Sequence, residues 1–206
     1  MPRGTQAIIG ANVVVYLLQL SMGGNLDVLF ALWPLNASEI YGGQVGFAPW
    51  QLVTYGFLHD PSSFTHIFFN MFAVYMFGSA LEQFFGTRYY VTLYFVSIVA
   101  AGLTQIGVNA LLGSPYPTLG ASGGVYGLLL AFAMYFPQQR IMLLFPPIAM
   151  PAWVAVTGYA ALELFLGVTG TQAGVAHFAH LGGMLGAFLM IQWRRGKPPF
   201  FPRRRR

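Results

Sequence analysis

The sequence predicts an all-α membrane protein: a bundle of six transmembrane helices with both termini on the cytoplasmic side. Three observations predict it. Of 206 residues, 56% are hydrophobic and only 7% are charged, whereas a soluble domain carries roughly 25% charged residues. Six apolar segments stand out, judged against the ~20 residues a helix needs to cross hydrocarbon. The ten Lys and Arg residues all fall on one side of a six-span map, and the positive-inside rule makes that side cytoplasmic.

The spans are expected at about 6–22, 64–85, 89–112, 122–136, 152–166 and 175–193. The fourth and fifth are short. They form one core, 1–193, followed by a basic cytoplasmic tail, 194–206. Arg3 precedes the first span, Arg88 separates the second and third, and Arg140 separates the fourth and fifth. The remaining basic residues follow the sixth. Beside an apolar segment, that tail reads as a flank on anionic lipid, not as a nucleic-acid arm. The first run is expected to stay as a span, because it lacks a small-residue cleavage site. Cysteine is absent, which excludes a disulfide framework and a thiolate metal site. No metal or cofactor is expected, and no internal repeat is evident.

Between the first two spans, residues 23–63 form a long outward loop. Leu26, Val28, Leu29, Phe30, Leu32, Trp33 and Trp50 make it apolar. It is expected to lie in the membrane interface or to pack on the protein itself. Glu82 and Arg88 are expected as anchors at the inner end of the second span. Pro146, Pro147 and Pro151 break the chain before the fifth span. Residues 141–150 are therefore expected to be a loop or a partly dipping segment. Glu163 is expected near the outer end of the fifth span, capping or pairing locally.

Chemistry needs groups at one depth. Ser122 lies 18 residues outside Arg140, Asn70 lies 18 outside Arg88, and His180 lies 14 outside Arg194. At 1.5 Å per residue these heights are ~27, ~27 and ~21 Å above the inner basic ring. His66 stands one turn above Asn70 on the same helix face. All four histidines, His59, His66, His177 and His180, map to the outer half. An intramembrane His is costly unless it is paired or faces water. Interhelical hydrogen bonding is one use for such a residue. The sharper use is for His180 to accept the Ser122 proton and make that hydroxyl a nucleophile.

Small residues allow the required approach. Gly123 and Gly127 on the fourth span, and Gly183 and Ala187 on the sixth, let two backbones come close. The acids Asp27, Glu39 and Asp60 lie in the outer loop and Glu82 on the inner side. Of the five acids only Glu163 is debatable as a third member, so a Ser-His dyad is expected in preference to a triad. His66 and Asn70 are candidate donors to the oxyanion of a tetrahedral intermediate, where each donor is worth ~3–4 kcal/mol.

With these residues in place, the sequence resembles the rhomboid intramembrane serine proteases of the simple six-helix bacterial type. Gly120-Ala121-Ser122-Gly123 resembles the family's Gly-x-Ser-Gly around the nucleophile. Tyr126 matches the tyrosine that stacks on the catalytic histidine. Ala179-His180-Leu181-Gly182-Gly183 resembles Ala-His-x-x-Gly. His66 and Asn70 match the His-x-x-x-Asn of the oxyanion hole, and Glu82, Gly86 and Arg88 fit the end of the second helix. Gln51 stands where the family often has Arg, which bears on the anchoring of the first loop. Ala187 stands where the family often has Gly.

The resemblance implies a membrane-embedded serine endopeptidase. Its partners would be membrane-protein substrates with single or multiple spans, together with the lipid, in a bacterial inner membrane. Two alternatives are an inactive rhomboid-like protein that binds clients, and a transporter. An HExxH metalloprotease is excluded because the motif is absent. A two-aspartate intramembrane protease is excluded because no span carries an aspartate.

Overall fold

In hydrocarbon a backbone has to bond to itself, so apolar runs of this length fold as helices. A computed structural model describes residues 1–22, 24–142, 147–170 and 175–196. Helix α1 (Arg3–Met22) leads into three short outer helices, α2 (Asn25–Phe30), α3 (Ala37–Ile40) and α4 (Gln51–Thr54). One continuous helix then runs as α5 (Phe64–Ala73), a π-helical turn (Val74–Gly78) and α6 (Ser79–Phe85). It is followed by α7 (Thr87–Leu112), α8 (Ser122–Tyr135), α9 (Ala152–Thr169) and α10 (His177–Arg194).

Among the described residues, four helices are long and apolar enough to cross a membrane: Arg3–Met22, Phe64–Phe85, Thr87–Leu112 and Ala152–Thr169. The six-span expectation is thus only partly met by length and composition. Helix α8 is shorter, with 14 residues. Helix α10 carries His177, His180, Gln192 and Arg194, which lower its hydropathy. These two helices are also the most enclosed, with nine residues of α8 and nine of α10 buried. Helix α8 falls short by length alone, whereas α10 falls short in apolarity, which its enclosure by protein makes tolerable. The fifth helix ends at Thr169 and not near 166.

The outer helices are inside-out relative to soluble ones. On α1, Thr5, Asn12 and Gln19 are buried while Val14, Leu17 and Leu18 are exposed. Glu82 anchors helix ends, as expected, and does so from a buried position. Its Oε1 accepts the Gly4 N–H and the Thr87 hydroxyl, both at 2.7 Å. Its Oε2 accepts the Thr5 N–H at 2.7 Å and the Thr5 hydroxyl at 2.8 Å. A carboxylate here satisfies orphan donors of the first turn of α1 and sits at the positive end of its dipole. At the same inner end, the Arg194 guanidinium lies 4.0 Å over the Tyr89 ring.

The segment before α9 also differs from expectation. Strands β1 (Arg140–Met142) and β2 (Ala149–Pro151) pair antiparallel, with Ile141 opposite Met150. Proline excludes helix but is tolerated at a strand end. Pro146 lies outside the described residues.

Helix α10 packs against α7, α8 and α9. Glycine makes the first two contacts possible. A Cβ at Gly183 would strike the Gly123 carbonyl oxygen, and one at Gly127 would strike the Ser97 hydroxyl of α7. A Cβ at Gly123 or Gly186 would come within 2.5 Å of Ala101 or Ala100 Cβ, both on α7. Ala187 is fully buried. The expected approach of the fourth and sixth helices is present, and α7 contributes Ser97, Ala100 and Ala101 as a third small surface.

Gly183→Ala should therefore lower the thermal stability of the detergent-solubilised protein, since a backbone atom blocks the added methyl. Gly158 on α9 has open space around its Cβ position. Gly158→Ala should be neutral or stabilising by up to about 1 kcal/mol. Equal melting temperatures for Gly183→Ala and the parent would contradict this packing account.

Candidate active site

The loop before α8 is built first. Leu32 and Thr118 exchange both N–H···O bonds at 2.9 Å, fastening the outer loop to the segment that leads into α8. Gly120 has φ 131°, a conformation that side chains rarely adopt, and its N–H donates to the Tyr55 carbonyl at 3.0 Å. A Cβ there would lie 3.0 Å from His66 Nε2. Gly120 thus supports the site by its backbone turn. Its own N–H is committed to Tyr55, so it is not an oxyanion donor.

The outer loop is anchored by amides. Gln51 is buried, accepts from the Trp33 and Ala48 N–H groups at 3.2 Å each, and donates to the Gly46 carbonyl at 3.1 Å. A glutamine thus ties the loop together where Arg is common in the family. Gln19 bonds the backbone of His59 twice, at 2.9 and 3.0 Å. The loop packs Ala31, Leu32 and Trp33 inward and leaves Leu29, Leu35, Ile40 and Trp50 exposed. Packing on the protein, one of the two expected uses of its apolar residues, is therefore present, and a second set of apolar side chains stays exposed.

Ser122 is the first residue of α8, so its N–H has no carbonyl within the helix to bond. Its Oγ lies 2.8 Å from His180 Nε2 on α10. The Tyr126 ring stacks on the His180 ring, with centroids 4.3 Å apart and planes within 6°. Ser122, Val125 and Tyr126 of α8 face Thr65, His66, Phe69 and Asn70 of α5 across a cleft of about 410 Å³. All the residues singled out as a constellation therefore meet in one place.

The supporting residues have defined bonds. His66 Nδ1 accepts the Asp60 backbone N–H at 3.3 Å. A neutral ring so bonded carries its proton on Nε2, the nitrogen beside Gly120 and Ser122. Asn70 Nδ2 donates to the His66 carbonyl at 2.9 Å, and its amide retains a second N–H.

Glu163 corrects the expectation most. It is buried, and it pairs across helices instead of capping locally. Its Oε1 accepts the Tyr126 hydroxyl. Its Oε2 lies 2.6 Å from His177 Nδ1 and 3.0 Å from His180 Nδ1. Sequence reasoning expected Glu163 toward the C-terminal end of α9 with local partners and assigned it no face; its partners lie on α8 and α10. The available signal was its isolation: it is the only charged residue in that helix, and an intramembrane acid without partners is too costly to keep.

A membrane-embedded helical bundle with a serine bonded to a histidine at the wall of a cleft defines a class: helical membrane proteins with a hydrolase-like centre. A family model described as Rhomboid domain matches residues 46–195, and the chain belongs to the rhomboid family. It is an integral, multi-pass membrane protein. It is 33% identical over 146 residues to Rhomboid protein 1, mitochondrial, of Saccharomyces cerevisiae, a match covering 69% of this chain and 41% of that protein. It is 27% identical over 189 residues to Rhomboid protease GluP of Bacillus subtilis, covering 91% of this chain and 34% of that protein. Putative rhomboid protease YdcA, also of Bacillus subtilis, is 27% identical over 143 residues, 68% of this chain and 65% of its own. The chain thus spans well under half the length of the first two relatives.

His59 yields a test of the site's outer wall. Its ring is fully buried and packs edge-on to His66, with centroids 5.0 Å apart. Burial, and then the neighbouring His66, lower its pKa to about 4, against ~6.5 when unfolded. The fold therefore favours neutral His59. Its contribution to stability is complete above about pH 6.5 and is lost as pH falls toward 4. Melting temperature should drop across that window, and His59→Leu should flatten the dependence. An unchanged pH dependence in His59→Leu would remove His59 as its source.

Proposed function

We propose that the chain is an intramembrane serine endopeptidase that cuts transmembrane-helix substrates near the outer membrane face. The observation that carries the reading is the 2.8 Å contact between His180 Nε2 and the Oγ of Ser122, a residue that lines the cleft. Membership of a family with relatives named rhomboid protease supports it.

The chemistry follows from the donors and acceptors. His180 Nε2 takes the Ser122 proton as Oγ bonds to the scissile carbonyl carbon. The carbonyl π pair moves onto oxygen, and the oxyanion meets the His66 Nε2–H, the Ser122 N–H and the second N–H of Asn70. Collapse breaks the C–N bond, and His180 returns the proton to the leaving amine. A water then repeats the cycle on the acyl-enzyme: His180 takes its proton, and Ser122 leaves as the regenerated hydroxyl. No metal or cofactor takes part in this scheme.

Substrate class follows from the walls. Helix α5 exposes Phe64, Phe68, Phe69 and Phe72 beside the cleft, an apolar approach suited to a helix arriving from lipid. A carbonyl can reach Ser122 only once that helix unwinds, so small or helix-breaking residues near the cut site are favoured. We place the chain across a bacterial inner membrane with six passes and both termini cytoplasmic. The core is 1–193 and the basic tail 194–206. A reporter fused after Arg206 should be active in the cytoplasm, and periplasmic activity would overturn that map.

The protease reading is tested with a reconstituted single-span substrate. Ser122→Ala, His180→Ala and the double variant should all fall to background, because groups that act as a unit are non-additive. His66→Ala should lower kcat by about 10²-fold or more with little change in KM. Cleavage by folded Ser122→Ala would contradict the mechanism. Tight binding of a membrane client without cleavage would favour the inactive, client-binding alternative.

A further inference from the structure

Glu163 is a carboxylate buried in a membrane-spanning helix, and the scheme above does not use it. Such a group is expensive unless its oxygens are satisfied. Two side chains from two other helices bond them, and a third lies in contact. Tyr126 of α8 donates its hydroxyl to Oε1. His177 Nδ1 of α10 lies 2.6 Å from Oε2, and His180 Nδ1 lies 3.0 Å from the same oxygen. A pin joining α8, α9 and α10 would explain the first two contacts. It does not explain the third. Oε2 sits on Nδ1 of the very ring whose Nε2 is 2.8 Å from Ser122 Oγ.

Resting on the protease reading, we propose that Glu163 is the positioning residue of the Ser122–His180 pair. Its carboxylate keeps the proton of neutral His180 on Nδ1, which leaves the Nε2 lone pair aimed at Ser122. When His180 takes the serine proton, the ring becomes an imidazolium with both nitrogens protonated. The carboxylate then faces the charged Nδ1–H directly. No proton passes to Glu163. The constellation is a Ser-His-Glu triad in which the acid orients the base and stabilises its charged form.

The surroundings fit this role. His180 Nδ1 is buried and has no in-line hydrogen-bond partner, and the Glu163 contact is off the ring N–H axis. Such contacts commonly tighten only when substrate is bound. His177 Nε2 is buried without a partner, so a charged His177 would leave an unpaired N–H. Neutral His177 therefore carries its proton on Nδ1 and gives it to Glu163, fixing the carboxylate from the far side. Tyr126 holds both members at once, with its ring under His180 and its hydroxyl on Glu163. The titratable groups facing His180 are thus Glu163 from α9, Tyr126 from α8 and His177 on its own helix. His66 of α5 is a further electrostatic neighbour.

The test uses the full chain in vesicles with a single-span substrate. Glu163→Gln keeps the shape and removes the charge, and Glu163→Asp keeps the charge. Glu39→Gln on exposed α3 is the control. Glu163→Gln should lower kcat by about 10²- to 10⁴-fold, as loss of a triad carboxylate does elsewhere, with KM within about twofold. The pH profile of its residual rate should differ from that of the parent. Glu163→Asp should recover part of the rate. Histidine ¹⁵N spectra supply a readout that needs no cleavage: His180 should be protonated at Nδ1 in the parent and shift toward the Nε2–H tautomer in Glu163→Gln.

The two readings fail separately. Lowered stability in Glu163→Gln with unchanged kcat, pH profile and tautomer would overturn the proposal and leave a structural pin. No Ser122-dependent cleavage by the parent, with the tautomer shift present, would overturn the protease reading but not the hold of Glu163 on His180.

Discussion

Everything at the site depends on how closely two helix backbones approach. Gly183 of α10 faces the Gly123 carbonyl of α8 with no room for a methyl between them. That contact sets the interhelical distance, and the distance sets the separation of Ser122 and His180. In lipid there is no hydrophobic drive for one helix to choose another, so packing and polar contacts do the choosing. The small surface of α7, with Ser97, Ala100 and Ala101, receives the same two helices from the side. Three helices thus fix one interatomic distance without asking a flexible side chain to do so.

Four buried polar groups supply much of the rest of the specificity, each with a partner outside its own helix. Glu82 holds the start of α1, Gln19 holds the His59 backbone, and Gln51 holds the outer loop. Glu163 holds the back of the site. In a medium without water such groups are costly when unpaired, so each one also excludes alternative packings. The same logic reaches the reaction centre. His66 is given its tautomer by a backbone N–H of the outer loop. A loop far from the chemistry in sequence therefore sets which nitrogen faces the cleft.

Depth was legible in the sequence, and direction was not. Counting residues from the basic ring put Ser122, Asn70 and His180 in one layer, and the side chains do meet there. The count works because rise per residue is constant in a helix. Gly123, Gly127, Gly183 and Ala187 announced the close contact because small residues have few other uses on adjoining spans. Glu163 was misjudged because its height alone does not say whether it faces lipid, loop or core. Gln51 was undervalued because an amide can replace a guanidinium as a loop clamp only if the backbone groups are already gathered around it. The hairpin at 140–151 was missed because proline signals forbid helix without naming what replaces it. Helix α10 looks poor as a span for the reason that makes it central, since protein encloses much of it, while α8 is apolar and merely short.

The central claim is that Ser122 is a nucleophile activated by His180. The most direct measurement is labelling of the detergent-purified protein with a fluorophosphonate probe, followed by peptide mass mapping. A single phosphonyl adduct on Ser122 is predicted, formed at a rate that collapses in folded His180→Ala. Labelling spread over other hydroxyls, or undiminished labelling of Ser122 without His180, would contradict the account.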